Sequence, residues 1–281
     1  MKKIIMATRP YSWPASMVPV AVGSAVAFKN GSFSGLNCFW TFLAALMVHS
    51  GANLANSYFD WKNGIDMPDY ADDRTIADKL LTPEKTIRFS MLMIFVSALI
   101  GIYLTIKNNA PLMLVFGAAG ALLAWFYTAD GIHYKYRSLG DAGIFLSFGP
   151  LIVTGTALIQ TGKILPSALL ASIPLGLLIT GILHANNMRD ISYDSSKNIK
   201  TFAQFLGMEK SVAYYKILIV SAYCSTLLLG SLPAAVLPML SMLLAKKLFV
   251  LLKNGDLAAL VKETAKFVGV FGLLLAIGLI I

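Results

Sequence analysis

Long apolar runs, separated by short polar breaks, recur along the whole chain. Each run has close to the roughly twenty residues that an α-helix needs to cross a bilayer. Breaks such as Asn30-Gly31 and Gly230-Ser231 contain the residues that favour turns. The pattern predicts nine transmembrane helices, over about residues 14–28, 37–57, 89–106, 111–127, 141–159, 165–186, 211–230, 233–250 and 264–281.

The composition agrees with a membrane protein. Hydrophobic residues make up 57% of the 281 residues and charged residues only 13%, which is too apolar for a soluble domain of this length. The apolar runs are continuous and do not alternate with polar residues, which argues against a β-barrel. We therefore expect one all-α, polytopic membrane domain over residues 1–281, with loops that cap the bundle.

The charges are distributed unequally between the two faces that nine crossings define. Lys29, Lys107 and Lys163 alone, of 23 Lys and Arg, fall in connections on the face opposite the N-terminus. All 14 Asp and Glu lie on the N-terminal face. Because lysine and arginine favour the cytoplasmic side, the N-terminal face is predicted to be cytoplasmic, in a cell or organelle membrane. The net charge of +9 then reflects orientation and contact with the lipid bilayer, not nucleic-acid binding.

A polar row follows the sixth predicted helix directly. Asn186, Asp190 and Asp194 are spaced four residues apart, so a helix would carry their oxygen-bearing side chains on one face. An alternative interpretation is a helix that simply ends in water, where polar residues are ordinary. A similar row elsewhere in the chain favours the functional interpretation.

That other row ends the second predicted helix. Asn53, Asn56 and Asp60 again share one helical face, and Asp66 follows shortly after. The offset between corresponding residues of the two rows is constant, which indicates an internal duplication of a helical unit. Below, Asn53, Asn56 and Asp60 are the first row, and the row that ends at Asp194 is the second row.

Two facing rows of this kind form a candidate site for two magnesium ions bridged by a diphosphate. Hard divalent cations prefer carboxylate and amide oxygens and keep positions for water and phosphate. The two motifs, residues 53–66 and 186–194, supply the candidate metal ligands Asn56, Asp60, Asp66, Asn186, Asp190 and Asp194.

Other residues suit the ionisation of an allylic diphosphate. Arg74 and Lys135 are candidates for phosphate contacts, and their alternative is interfacial snorkelling. Tyr58 and Tyr127 are candidates to face a carbocation, and their alternative is anchoring at the interface. The predicted catalytic residues are Asp60, Asp190, Asp194, Arg74 and Lys135.

Two intramembrane histidines call for separate interpretations. His49 is expected to hydrogen-bond a neighbouring helix. His184 adjoins the second row and is a candidate for an acceptor pocket. No Walker loop, Cys/His metal spacing or Ser–His–Asp pattern stands out in the sequence.

These motifs resemble those of the UbiA superfamily of intramembrane prenyltransferases, which are nine-helix bundles with one aspartate-rich motif after helix 2 and another after helix 6. The resemblance covers nearly the whole chain. It is strongest to the MenA-like branch, which prenylates 1,4-dihydroxy-2-naphthoate or makes menaquinone-4. The residues that carry it are Arg9-Pro10, Asn56-x-x-x-Asp60 before Gly64-Ile65-Asp66, Asp72-Asp73-Arg74-Thr75, and Asn186-Asn187-x-Arg189-Asp190-x-x-x-Asp194. Ser57 departs from the pattern, since many members carry Asp there.

The resemblance implies magnesium-dependent transfer of a polyprenyl group from its diphosphate to an aromatic acceptor, in menaquinone biosynthesis. Alternative acceptors on the same scaffold are 4-hydroxybenzoate, homogentisate or a glycerophosphate lipid. An alternative of another class is an ion-coupled secondary transporter, although its acids would be expected near the midplane. Predicted substrate-binding residues are Arg74, Lys135, Asn53, Asn187, Arg189, Asp73, Tyr127, Tyr58 and Arg9.

Overall fold

The structure, a computed structural model, describes residues 2–65, 75–197 and 199–281. The described part is helical, apart from one isolated bridge between Arg137 and Lys200. Its α-helices are α1 (Lys2–Ala7), α2 (Pro14–Lys29), α3 (Gly35–Lys62), α4 (Pro83–Lys107), α5 (Leu112–Phe126), α6 (Gly140–Leu146), α7 (Gly155–Thr161), α8 (Pro166–Ser196), α9 (Phe202–Thr226), α10 (Leu232–Val236), α11 (Met242–Asn254) and α12 (Leu257–Ile280).

Seven helical segments of the described chain are long and apolar enough to cross a membrane. The protein is therefore a polytopic integral membrane protein. The predicted number of nine crossings is not confirmed, because α2 and α5 have only 16 and 15 residues. Both nevertheless lie where the first and fourth predicted helices were expected.

Both helices that carry a polar row continue further than the sequence predicted. The predicted ends were residues 57 and 186, whereas α3 reaches Lys62 and α8 reaches Ser196. The physical reason is that hydropathy marks where a helix leaves the apolar layer, not where its hydrogen bonding stops. As a result, both rows lie on regular helix.

Side-chain caps explain where several helices begin. Ser34 accepts a hydrogen bond from the Asn37 N–H at the start of α3, and Thr201 accepts one from the Gln204 N–H at the start of α9. Thr82 caps α4 directly before Pro83. Within α9, Gly207 has a φ of 75° and interrupts the helix, and the apolar part that can cross a membrane begins directly after it, at Met208.

The centre of the bundle is formed by α2, α8 and α12, whose inner faces are buried together. Glycines allow α2 to pack closely against its neighbours. A Cβ on Gly23 would lie 2.5 Å from the Val153 carbonyl oxygen, and one on Gly272 would lie 1.9 Å from Val18. Small residues at such crossings are typical of membrane helices, which gain stability from close van der Waals packing.

The candidate membrane span Gly140–Thr161 is not a regular α-helix. Between α6 and α7, residues Ser147–Thr154 form a π-helix around Pro150. The far end of this segment is fixed by Gln160, which exchanges two hydrogen bonds with the backbone of Ser34. The other end of this segment is the start of α6, which lies beside the candidate functional residues described below.

Candidate active site

Asp60, the last residue of the first row, is contacted by two side chains from a distant loop. The Lys135 ammonium lies 3.0 Å from Oδ2, and the Tyr136 hydroxyl donates a hydrogen bond to Oδ1. Asp60 is only 6% exposed, so both contacts lie in a partly dehydrated environment. We call residues 127–139, which connect α5 to α6, the Lys135 loop.

Several contacts fix this loop. The Lys135 N–H donates to the Tyr127 carbonyl at 3.0 Å, and the Tyr134 hydroxyl donates to the Leu123 carbonyl at 2.8 Å. The Tyr134 ring lies against Gly143 of α6, where a Cβ would come within 2.3 Å of the ring. Only glycine fits at this contact without moving Tyr134, the neighbour of Lys135.

The Lys135 loop also contacts the segment that follows the second row. The Ser138 N–H and hydroxyl both donate to the Lys200 carbonyl, at 2.6 and 2.9 Å. In addition, Tyr193 on α8 donates its hydroxyl hydrogen to the carbonyl of Ile65, just after the first row. The ends of α3 and α8 and the loop therefore meet in one region.

Tyr127 is buried, and the charge of one acid from each row acts on its phenol. Burial raises the pKa of its phenol above the ordinary value, and the negative charges of Asp141 and Asp60 raise it further, with a smaller contribution from Asp194. Burial also raises the pKa of Tyr136, so that its hydroxyl stays protonated and donates to Asp60. The ammonium of Lys135 lies 5.9 Å from the centre of the Tyr127 ring.

The other first-row residues contact protein groups. Asn56 accepts a hydrogen bond from the Thr128 hydroxyl at 2.8 Å, which joins α3 to the Lys135 loop. Asn53 donates to the Thr8 carbonyl and the Ser12 hydroxyl, each at 3.2 Å, and so fixes the N-terminal segment. These contacts join α3 to the N-terminal segment, and the predicted substrate contact of Asn53 stays a prediction.

Arg9 and Tyr58, two further predicted substrate contacts, lie in different surroundings from each other. Arg9 lies near the first row, where its guanidinium is 3.5 Å from the Ser57 hydroxyl. Tyr58 belongs instead to a group of aromatic rings with Phe59 and Trp61. Among the described residues, no hydrogen bond or ring contact joins Tyr58 to the carboxylates of either row.

The second row is more open than the first. Arg189 forms a two-point contact with its neighbour Asp190, with both N–O distances 2.7 Å. Asp194 is buried and lies 3.5 Å from the Thr201 hydroxyl. It is also within the electrostatic reach of Lys135 and Asp60. On the same stretch of α8, Asn186 is half-buried and Asn187 is buried.

Three residues predicted from the sequence lie outside the described residues: Asp66 as a metal ligand, Asp73 as a substrate contact and Arg74 as a phosphate contact. Their roles stay predictions.

The structure adds residues that sequence reasoning did not select. Tyr136 contacts Asp60, and the feature of the sequence that could have identified it is its position next to Lys135, a candidate phosphate ligand. Asp141 pairs with His184 at 2.8 Å inside the bundle, and its signal was an acid at the start of an apolar span. His49 bonds Ser12 and Ser16 of the N-terminal region, as expected for a histidine that joins helices.

The donor groups suit magnesium. Within the described ranges, no three His, Cys, Asp or Glu side chains form a preassembled metal cluster. Asp60, Asp190 and Asp194 instead offer separate hard oxygen donors near the Lys135 loop. Magnesium is commonly held by one or two carboxylates, with water and phosphate oxygens completing its coordination. The residues present therefore fit a magnesium ion that binds together with a diphosphate.

Comparisons of sequence agree with this chemistry. The sequence pattern of the UbiA prenyltransferase family matches residues 16–276. The chain is 33% identical over 284 residues to UbiA prenyltransferase domain-containing protein 1 of Gallus gallus, covering 99% of this chain and 84% of that protein. The Dictyostelium discoideum protein of the same name is 34% identical over 292 residues, covering 99% and 87%. The predicted superfamily is confirmed, whereas these relatives do not single out the MenA-like branch.

Solved structures share the fold at low sequence identity. An apo UbiA homolog from Aeropyrum pernix K1 aligns with a TM-score of 0.71 and 15% identity, covering 95% of this chain and 96% of that one. A UbiA homolog from Archaeoglobus fulgidus, bound to GPP and Mg2+, aligns with a TM-score of 0.61 and 13% identity, covering 97% and 99%. The all-helical architecture is thus shared with proteins of which one binds a prenyl diphosphate and magnesium.

Proposed function

The chain belongs to the UbiA prenyltransferase family, and we propose that it transfers a polyprenyl group from a polyprenyl diphosphate to an aromatic acceptor with the help of magnesium. The family assignment makes it a prenyltransferase and rules against the transporter alternative. The observation that best supports the proposal is the contact of Lys135 with Asp60, beside a ring that lies near acids of both rows.

The carboxylates and the lysine have complementary roles at the leaving group. Asp60, Asp190 and Asp194 would hold two magnesium ions, helped by the amide oxygens of Asn56 and Asn186. When bound, magnesium neutralises the charge that builds on the diphosphate. Asp66 is a further candidate ligand from the first motif.

Lys135 is proposed to bind the diphosphate directly. Its ammonium is a compact point charge that suits a phosphate oxygen, and Tyr127 and Tyr136 flank it through their ring faces. Arg74 is proposed for the same task, because its fork can bind two phosphate oxygens at once. Both cations favour departure of the diphosphate.

The acceptor we propose is 1,4-dihydroxy-2-naphthoate or a related naphthoquinol, which places the reaction in menaquinone biosynthesis. The support is the resemblance of the motifs around Asp60, Arg74 and Asp190 to the MenA-like branch. The allylic C–O bond breaks, the diphosphate leaves with the electron pair, and the ring carbon supplies the pair for the new C–C bond. With the naphthoate, the ring position then loses its carboxylate as carbon dioxide.

Mass spectrometry of products from the purified protein tests this proposal. The protein in lipid discs is given magnesium, one prenyl diphosphate at a time, and either the naphthoate, 4-hydroxybenzoate, homogentisate or a glycerophosphate lipid. The expected product is a prenylated naphthoquinol that has lost carbon dioxide. Asp60→Ala and omission of magnesium are the negative controls. A product with another acceptor, and none with the naphthoate, would reject this acceptor while leaving prenyl transfer intact.

We further propose that the Lys135 loop faces the cytoplasm, because lysine and arginine are concentrated on its side of the chain. A cysteine at position 130 should then react with an impermeant thiol reagent only from the cytoplasmic side. A cysteine at position 163, on the opposite face, should react only from the other side. The reverse pattern would show that the orientation is wrong.

A further inference from the structure

A buried acid–base pair lies just beneath the candidate site. His184 is 0% and Asp141 4% exposed, and His184 Nδ1 lies 2.8 Å from Asp141 Oδ2. The rings of Tyr214 and Phe202 on α9 close off the histidine, with centroids 4.7 and 6.1 Å from its own. The pair therefore joins α6 to α8 in a tightly packed place.

This pair is not an efficient way to stabilise the bundle. Asp141 Oδ1 and His184 Nε2 are both buried, and neither has a hydrogen-bond partner among the described residues. An unsatisfied buried polar atom carries a desolvation cost. Replacing a buried pair of this kind by apolar side chains of similar volume is often neutral or stabilising. Its presence therefore calls for a reason other than stability.

The pair connects the two halves of the candidate site. Asp141 lies in the first turn of α6, next to Gly140, and a Cβ on Gly140 would be 3.6 Å both from the Lys135 Cα and from Leu183 on α8. His184 follows Leu183 and lies one helical turn before Asn187. The first turn of α6 is thus packed between the backbone of Lys135 and the helix that carries the second row.

We propose that Asp141 and His184 form a positioning pair that fixes Lys135 relative to the second row, and that this function maintains the pair at the expense of stability. The inference rests on the proposed role of Lys135 at the diphosphate. Neither residue of the pair contacts the substrate in this account. They act by keeping the start of α6 in place against α8.

Apolar replacement of the whole pair separates positioning from stability. The full-length double variants Asp141→Leu/His184→Phe and Asp141→Leu/His184→Leu are compared with the wild type in lipid discs. The probe is inorganic pyrophosphate with magnesium, and the readout is the ligand-induced shift in melting temperature. We expect the more stable variant to melt at or above the wild-type temperature without ligand, and to bind magnesium pyrophosphate about tenfold more weakly or worse.

A matched control is available elsewhere in the bundle. Tyr215 and Thr264 are also fully buried, and their hydroxyls lie 2.6 Å apart between α9 and α12. Tyr215→Phe/Thr264→Val should leave the pyrophosphate affinity unchanged. His184→Asn tests the hydrogen bond itself, because its amide still donates to Asp141. It should retain more of the affinity than His184→Phe does.

The outcomes discriminate between the proposals. Double variants that both melt below the wild type without ligand would make the pair a structural element and overturn the inference. A stable double variant with wild-type pyrophosphate affinity would overturn it as well, while the proposed function stands. A wild-type protein that shows no magnesium-pyrophosphate shift would overturn the proposed function, and this inference with it.

Discussion

The two acidic rows differ in how their carboxylates are held. Asp60 is bound by Lys135 and Tyr136, which are 75 and 76 positions away in sequence, and it is almost fully buried. Asp190 is bound by its sequence neighbour Arg189, and its side chain is 28% exposed. Asp60 therefore depends on tertiary structure, whereas Asp190 is held by local geometry.

This difference predicts which changes spread through the structure. Loss of Asp60 removes the acceptor for two side chains of a distant loop. Loss of Asp190 affects a pair within one helix. The two rows should thus be equally important for turnover and unequal for stability.

Removing either carboxylate should have the largest effect. Asp60→Ala and Asp190→Ala should each lower kcat by about a thousandfold or more, because each loses a ligand for the leaving-group metal. Only Asp60→Ala should also lower the melting temperature of the ligand-free protein. Steady-state kinetics at saturating magnesium and thermal unfolding measure these effects. Near-normal turnover in either variant would contradict the two-row metal site.

Lys135→Ala should have the next largest effect. The substitution removes one charge from the diphosphate and one of the two donors to Asp60, while every metal-binding side chain remains present, so kcat/KM for prenyl diphosphate should fall about a hundredfold. The KM of the acceptor should change little. The control is Asp130→Ala in the same loop, where an exposed pair with Lys62 contributes little. An effect confined to the acceptor KM would assign Lys135 to the acceptor pocket.

Gly143→Ala tests whether the loop must be held from α6. The added methyl would displace the Tyr134 ring, and we expect about a tenfold loss of kcat/KM for prenyl diphosphate. Gly155→Ala is the matched control, since its Cβ would meet the flexible Met113 side chain at an ordinary 3.4 Å. Equal losses in both variants would show a general packing defect instead of a displaced loop.

Tyr136→Phe should have the smallest effect. It removes one of the two donors to Asp60, and Lys135 still binds the carboxylate, so kcat should fall only about fivefold. Burial raises the pKa of Tyr136, so the hydroxyl of the wild type keeps its proton up to at least about pH 10. The wild-type and variant pH profiles should therefore be parallel over that range. A rate that fell in the wild type alone above pH 8 would contradict this.

Sequence reasoning located most helices because apolar runs and caps are local properties of the chain. It misplaced the ends of α3 and α8, since a helix can continue into the polar interface after its apolar run stops. At α9 the start was misplaced: the helix begins at Phe202, before the predicted residue 211. Gly207, with its positive φ, divides this early part from the apolar part that the sequence predicted.

The candidate site was only partly predictable for a related reason. Side-chain chemistry identified Asp60 and Lys135 separately, yet their contact arises because α5 packs against α3 and the loop after α5 is bonded to α3 through Thr128 and Asn56. The roles of Tyr136 and Asp141 follow only from their contacts with residues that are distant in sequence. The spacing of the row predicts Asn53 as a substrate contact, and this stays a prediction; the hydrogen bonds of its amide to the N-terminal segment could not be foreseen from spacing.

The π-helix between α6 and α7 sets how far these two helices are rotated relative to each other about the segment's axis. Gln160 fixes one end of the segment against Ser34, and Asp141 fixes the other against α8. Rewinding the same eight residues, 147–154, as regular α-helix would rotate one end relative to the other, because an α-helix advances about 100° per residue and the wider π turn advances less. Both ends cannot then keep their partners. The wide turns thus set the rotation of α6 relative to α7. The direction in which the Lys135 loop faces the second row therefore depends on the winding of a segment inside the membrane span.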